Sequence, residues 1–253
     1  MVRGLTPFMD HFKNHTENFA IIGGTACFLA MEKVGLEFRA TKDINIVLFA
    51  ETLDASFVRK FWEFIGAGGY EIKEKDSKKR QLYRFKNPSN LDFPVMLELF
   101  SCKQDSLEPI GNHHLTPISA VDSKASLSAI LLDDDYYHFI KNGKGIIKEI
   151  PIVKPEYLIP LKMKAWLDLT KIKTEEKINI QSNDVKKHKN DVFKLLQIID
   201  TELRLYASEK IKKDIRAFID AIIIEPPDLK SLKINQISLK EMLVLLEDFY
   251  RLI

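Results

Sequence analysis

Phe19-Ala-Ile-Ile-Gly23-Gly24-Thr25-Ala26, followed by Arg39-Ala-Thr41-Lys42-Asp43-Ile44-Asn45-Ile46, decides how this chain is read. The short apolar run from Asn18 to Ile22 stops abruptly at two glycines. A helical pattern then begins at Thr25, carried by Phe28, Leu29 and Met31 to Val34 and closed by Gly35. A strand, a glycine turn and a helix in that order make a plausible phosphate cradle. Glycine lets the backbone come close to an anion, and the helix start presents free N–H groups and the positive end of its dipole. Thr25 can cap that helix or donate to a phosphate oxygen. Gly-Gly also serves as a plain tight connection.

The second block opens a strand, Ile44 to Phe49, dense in β-branched residues. Asp43 and Asn45 are two residues apart, so on a strand their side chains share one face. A further acid, Glu98, lies in the middle of the apolar strand Val95 to Phe100. A carboxylate in such a strand is costly unless it is paired or ligates a metal. Asp43, Asn45 and Glu98 are therefore the candidate metal ligands, and Gly23, Gly24 and Thr25 the candidate phosphate site.

Working outward, Phe57 to Ile65 reads as a helix ended by Gly66 to Gly69. Tyr70 to Lys75 and Gln81 to Lys86 read as a hairpin around the basic turn Lys75 to Arg80. Leu127 to Leu132 is a candidate strand. Asp133-Asp134-Asp135 opens a turn or short helix, and Asn142-Gly143 marks a turn. Leu158 to Leu169 reads as a helix, then Lys171 to Lys187 as an exposed polar connector. Asp191 to Leu205, Ser208 to Ile224 and Leu239 to Leu252 carry helical periodicity, the last opened by the capping box of Ser238 and Glu241. The expected class is α+β, with a catalytic domain over residues 1–150 and a helical C-terminal domain over 151–253.

At 253 residues the chain is long enough for a proper core, and 45% apolar with 29% charged residues is ordinary for a globular protein. The net charge of +2 is too small to mark a nucleic-acid binder, so RNA contact would need a local patch such as Lys75 to Arg80 or Lys186 to Lys189. Cys27 and Cys102 lie in apolar sequence and read as buried reduced thiols, since a structural zinc site needs about four ligands at short spacing. The first residues show no apolar core flanked by a cleavage site, so a secretion signal is not expected. The longest apolar stretch, Ala217 to Ile224, is interrupted by Asp220 and stopped by Glu225-Pro226-Pro227. A cytoplasmic protein with no membrane span is expected.

The two opening blocks resemble the polymerase-β-type nucleotidyltransferase superfamily, and within it most nearly the AbiEii type, the toxin halves of abortive-infection toxin–antitoxin pairs. Val153-Lys-Pro155-Glu156-Tyr-Leu158-Ile-Pro-Leu-Lys162-Met-Lys164-Ala165 is similar to that family's lysine segment. Lys187-His188-Lys189-Asn190-Asp191 is similar to its last motif. The likeness runs from about residue 18 to 196 and is thin between residues 50 and 90. It implies a nucleotidyltransferase-like mixed sheet flanked by helices, Mg²⁺ or Mn²⁺ as cofactor and an NTP as substrate. It further implies that Gly24 and Thr25 hold phosphates and Asp43 ligates the metal. Glu98 serves as third acid, Lys162 neutralises the triphosphate, and Asp191 positions Lys162 or the nucleotide. The implied partners are an RNA or protein acceptor and an antitoxin. Plainer readings stand beside these. Lys162 can be a solvated lysine on an amphipathic helix, Asp191 can complement a helix dipole, and His188 reads as a surface residue.

Asn45 departs from the pattern, because the family has an acid there. Asn offers one carbonyl oxygen and no charge, which weakens any site holding two metals and leaves a slow enzyme, a one-metal variant or a fold without activity as expectations. Three readings remain open: an active transferase, a degenerate module that binds a nucleotide or partner without turnover, and a partner-binding protein that uses Met242 and Phe249 as an interface.

Overall fold

The computed structural model describes residues 2–49, 51–71, 83–101, 133–175 and 181–252. Among them are six strands: β1 (Phe19–Ile22), β2 (Asp43–Leu48), β3 (Tyr83–Lys86), β4 (Met96–Phe100), β5 (Lys144–Ile147) and β6 (Ile150–Val153). They form one sheet in the order β3-β4-β2-β1-β6-β5. β2 pairs antiparallel with β1 and parallel with β4, while β6 runs parallel to β1, so the sheet is mixed. Eight helices accompany it: α1 (Leu5–Phe12), α2 (Gly23–Lys33), α3 (Ala55–Gly68), α4 (Asp134–Asn142), α5 (Pro155–Glu175), α6 (Ser182–Leu196), α7 (Glu209–Ile224) and α8 (Leu239–Phe249). The expected mixed sheet flanked by helices is what the chain forms.

Register separates the two faces. Opposed residues share a face, so Phe19, Ile21, Ile46 and Leu48 lie together, while Ile22, Asn45 and Val47 lie on the other side. Phe19 meets an aromatic cluster from α1 and α3, with its ring 5.5 Å from Phe8 and 6.0 Å from Phe12. Phe61 extends the cluster to Phe85 of β3 at 5.4 Å. α3 is held at its start by Asp54, whose side chain accepts from the Phe57 amide. Helix α1 gives no long periodic signal in the sequence, being eight residues long, yet its Phe8 and Phe12 are fully buried.

The region read as an exposed connector is largely helical. α5 continues to Glu175 and α6 starts at Ser182; residues 176–180 lie outside those described. Lys and Glu are good helix formers, and a solvated helix end carries no apolar stripe to betray it. α6 stops at Leu196, well before Leu205, so Asp191 sits deep in a helix and not at its N-terminus. The helix-dipole reading of Asp191 is therefore wrong. Met242 and Phe249 are buried on α8, which removes them as an interface.

α5 carries a proline inside it, Pro160, which cannot donate to the carbonyl of Glu156 one turn back. The hydroxyl of buried Tyr250 donates to that carbonyl instead, at 2.6 Å. The division expected near residue 150 falls at the first residue of β6, and one apolar cluster runs from Val2 to Tyr250. The basic turn Lys75 to Arg80, the candidate strand Leu127 to Leu132 and Cys102 lie outside the described residues. Asp133 caps α4, and Gly143 ends it. No helix among the described residues is long and apolar enough to cross a membrane.

Candidate active site

The polar face of the sheet is centred on one row. Asn45 is opposite Glu98 across the parallel β2–β4 pair, and Glu98 is opposite Arg84 across the antiparallel β4–β3 pair. All three side chains therefore share a face. The Asn45 Nδ2 donates to Glu98 Oε2 at 2.5 Å, and Arg84 Nε donates to Glu98 Oε1. Asp43, two residues before Asn45, stands in the neighbouring row with Met96 and Lys86. Its half-buried carboxylate has no hydrogen bond or ion pair among the described residues. Burial, and then the negative charge of Glu98, push the Asp43 carboxyl above the usual aspartate range.

The glycine turn abuts this row. Gly23 has a φ of +69°, a left-handed conformation that favours glycine, and a Cβ there would stand 3.2 Å from Asn45 Cγ. A Cβ on Gly24 would lie 2.8 Å from Thr41 Oγ1 and 3.4 Å from Arg39 Nη2. Gly23 is favoured by its backbone angle, and at Gly24 a side chain would have to displace that of Thr41. No side chain caps the start of α2, which leaves its first amides for another acceptor. The Thr25 side chain is buried and its hydroxyl donates to the Asp43 carbonyl at 2.7 Å. That bond fixes α2 to β2, so only the backbone of Thr25 is left to meet a phosphate.

Behind the turn sits a buried ion triad. Lys162 Nζ donates to Asp191 Oδ2 at 2.6 Å, while Arg39 Nε and Nη2 donate to the same carboxylate at 2.9 and 2.8 Å. Burial opposes ionisation of Asp191, but the Lys162 ammonium and the Arg39 guanidinium outweigh it and hold its carboxyl below the ordinary aspartate value. Lys162 is 2% exposed and is no solvated lysine, which overturns that plainer reading. It is equally shut away from an incoming triphosphate. Arg39, at 36%, is the cation of the triad that reaches the surface, and it does so beside Gly24. Two cations against one carboxylate leave one net positive charge there.

His188 is also misjudged by its sequence. One helical turn before Asp191 on α6, its Nδ1 is buried and has no hydrogen-bond partner among the described residues. Burial, and then the positive charge of Lys162, push the imidazole well below its usual range, so the ring is neutral. Lys189 is buried too, its Nζ donating to the Glu225 carbonyl and carboxylate at 3.0 and 2.7 Å while lying 5.3 Å from the Trp166 ring centroid. It ties α6 to the end of α7 and is not available to an RNA backbone. Cys27, buried in α2, has its thiol pushed up to about 11, chiefly by burial.

No family model matches the chain, and no curated protein is significantly similar to it. Two solved structures are similar in fold. One is an antigenic nucleotidyltransferase-like protein from Paracoccidioides brasiliensis, with 13% identity and a TM-score of 0.44, covering 95% of this chain and 99% of that one. The other is the lincosamide antibiotic adenylyltransferase LnuA in its lincomycin-bound form, with 15% identity and a TM-score of 0.38, covering 77% of this chain and 96% of that one. At such identity and overlap neither likeness bears on activity, which has to be read from the side chains themselves.

Those side chains fit one hard cation better than two. A hard divalent ion takes oxygen ligands and completes its shell with water or phosphate. Asp43 offers a free carboxylate. Asn45 offers its Oδ1, because its amide must turn the NH₂ end toward the acceptor-only carboxylate of Glu98. Glu98 itself is engaged on both oxygens. Among the described residues, no group of three or more His, Cys, Asp or Glu is placed to hold a metal. Sequence reasoning missed Arg39 and Arg84 as members of this site. Arg39 stands inside the quoted Arg-x-Thr-x-Asp block. Arg84 had only its alternation with the buried Phe85 to mark it.

Proposed function

We propose that this chain transfers a nucleotidyl group from an NTP to a hydroxyl of a macromolecule, an RNA end or a protein side chain. The observation that supports the proposal is that Asp43, Asn45 and Glu98 share one face of the sheet, beside a glycine turn that opens a helix. In this reading the free amides at Gly23, Gly24 and Thr25 receive the phosphates, and Arg39 supplies positive charge beside them. Asp191 acts on the nucleotide through Arg39, which it holds with two parallel hydrogen bonds, and Lys162 fixes Asp191 by donating to the same carboxylate. Asp43 and Asn45 Oδ1 would hold Mg²⁺ or Mn²⁺. Such an ion would supply Lewis-acid polarisation of the phosphate and positive charge for the pyrophosphate leaving group. Resemblance in the two opening motif blocks extends the proposal to the toxin half of a toxin–antitoxin pair.

A second reading is favoured by Glu98 being already satisfied: a module that binds metal and nucleotide without turnover. Transfer of label from each of the four α-labelled NTPs to RNA and to cell extract, with Mg²⁺ and with Mn²⁺, separates the two. Label in product supports transfer. Nucleotide binding with no product under any of these conditions, and none in an Asn45→Asp variant, rejects catalysis and leaves the binding module.

A further inference from the structure

A carboxylate on a metal-holding face normally waits for its cation. Glu98 does not wait: its two oxygens are taken by different donors, the Asn45 amide at 2.5 Å and the Arg84 guanidinium. The arrangement is set by register and is no accident of long side chains. Asn45, Glu98 and Arg84 are direct neighbours across three adjacent strands, and both Glu98 and Arg84 are largely buried. Asp43, in the next row, has no such partner among the described residues. Asn45 turns its Oδ1 away from Glu98 and toward the glycine turn, 3.4 Å from where a Cβ on Gly23 would stand. The face is therefore divided. The Asp43 carboxylate and, facing the glycine turn, Asn45 Oδ1 are free of partners among the described residues, while the Glu98 charge is already matched by a fixed positive one.

We infer that Arg84 stands in for one of two metal ions, so that the site takes a single divalent cation, held by Asp43 and Asn45 Oδ1, with Arg84 as its permanent second cation. Asn45 and Arg84 belong together in this account. An acid at position 45 could not donate to Glu98, and one Glu98 oxygen would then be left open to a second ion. With Asn there, the NH₂ end bonds Glu98, Arg84 takes the other oxygen, and the Asp43 carboxylate and Asn45 Oδ1 are what remain for an ion. Arg84 is a positioning residue for Glu98 and a fixed charge beside the metal. The inference rests on the proposed nucleotide and metal site but does not require that transfer occur.

The test is the number of Mn²⁺ ions bound per full-length chain, read from the free-ion electron paramagnetic resonance signal in the presence of a non-hydrolysable ATP analogue. One ion is expected for the wild type. Two are expected for the Arg84→Gln, Asn45→Asp double variant, in which Glu98 is released and an acid restored. Arg84→Lys, which keeps the charge, stays at one. In Arg84→Gln alone, removing a neighbouring positive charge tightens the first ion by about tenfold. Two ions, or none, on the wild type overturn the inference. So does a folded double variant that still holds one, or Arg84→Gln binding Mn²⁺ more weakly than wild type. If the double variant does not fold, the wild-type count and the Arg84→Gln affinity decide. One ion bound without any nucleotidyl transfer would defeat the transfer reading and leave this inference standing.

Discussion

On one face of the sheet, Phe19 and Phe85 meet Phe8, Phe12 and Phe61 in edge-on and tilted contacts. On the other face, one residue away along the same strands, Asn45, Glu98 and Arg84 form a bonded polar row. The alternation is strict: Phe85 follows Arg84, Leu97 and Leu99 flank Glu98, and Ile44 and Ile46 flank Asn45. A one-residue slip in pairing would bury charges among phenylalanines and expose the rings to water. The aromatic face thus fixes the register, and the register places the chemistry. Stability and ligand binding are divided between the faces, which allows them to be disturbed separately.

The largest effect is expected behind the glycine turn. Asp191→Ala leaves the Lys162 ammonium buried without its counter-charge, which should cost about 3–5 kcal/mol of unfolding free energy. Urea denaturation measures it, and a loss near zero would mean that Lys162 finds another partner. Phe12→Ala should cost a similar amount, about 3–5 kcal/mol, from lost burial and the remaining cavity. The two differ in what else they do. The folded fraction of Phe12→Ala should bind Mn²⁺ and nucleotide as the wild type does, while loss of Asp191 frees Arg39 and weakens nucleotide binding. Equal ligand affinity in both variants would contradict the division between the faces.

Tyr250→Phe tests a smaller cost in a third place. The Glu156 carbonyl, deprived of a backbone donor by Pro160, loses the hydroxyl that satisfies it. A buried acceptor left unpaired costs about 1–3 kcal/mol. Thermal unfolding should show the loss with no change in Mn²⁺ affinity. A Tm within a degree of wild type would mean that another donor reaches that carbonyl.

The strands that carry the polar row were legible because apolar runs around single polar residues are a strong signal, and Glu98 stands out for that reason. The glycine turn was legible because few residues other than glycine fit it. What sequence missed has a common cause. Lys162, His188 and Lys189 are charged or polar residues in segments rich in lysine, where composition argues for solvent. The burial of Lys162, Lys189 and the His188 Nδ1 depends on packing of α5, α6 and α7 that local pattern does not encode. Arg84 lies beside the segment 72–82, outside the described residues, where a basic turn was the dominant local signal. Thr25 was placed correctly at the head of α2, but its hydroxyl is used by the Asp43 carbonyl, a partner eighteen residues away.

His188 provides the smallest and most local test of the polar side. In the folded chain its ring is neutral, since burial and the facing charges of Lys162, Lys187 and Arg39 outweigh Asp191. In the unfolded chain it takes a proton near its ordinary value, about 6.5. Below that pH the unfolded state therefore binds the extra proton, and stability falls as pH drops from 6.5 toward the depressed folded value. The slope is about 1.4 kcal/mol per pH unit for one group. Asp191 adds a loss of the same sign only at lower pH, as pH falls below its ordinary aspartate value toward its depressed folded one. The window between pH 6.5 and 5 thus isolates the histidine. His188→Gln should flatten the stability profile there while leaving the acid limb in place. An unchanged slope in that variant would show that the ring is protonated in the folded chain, and that the cations around it are better screened than their burial implies.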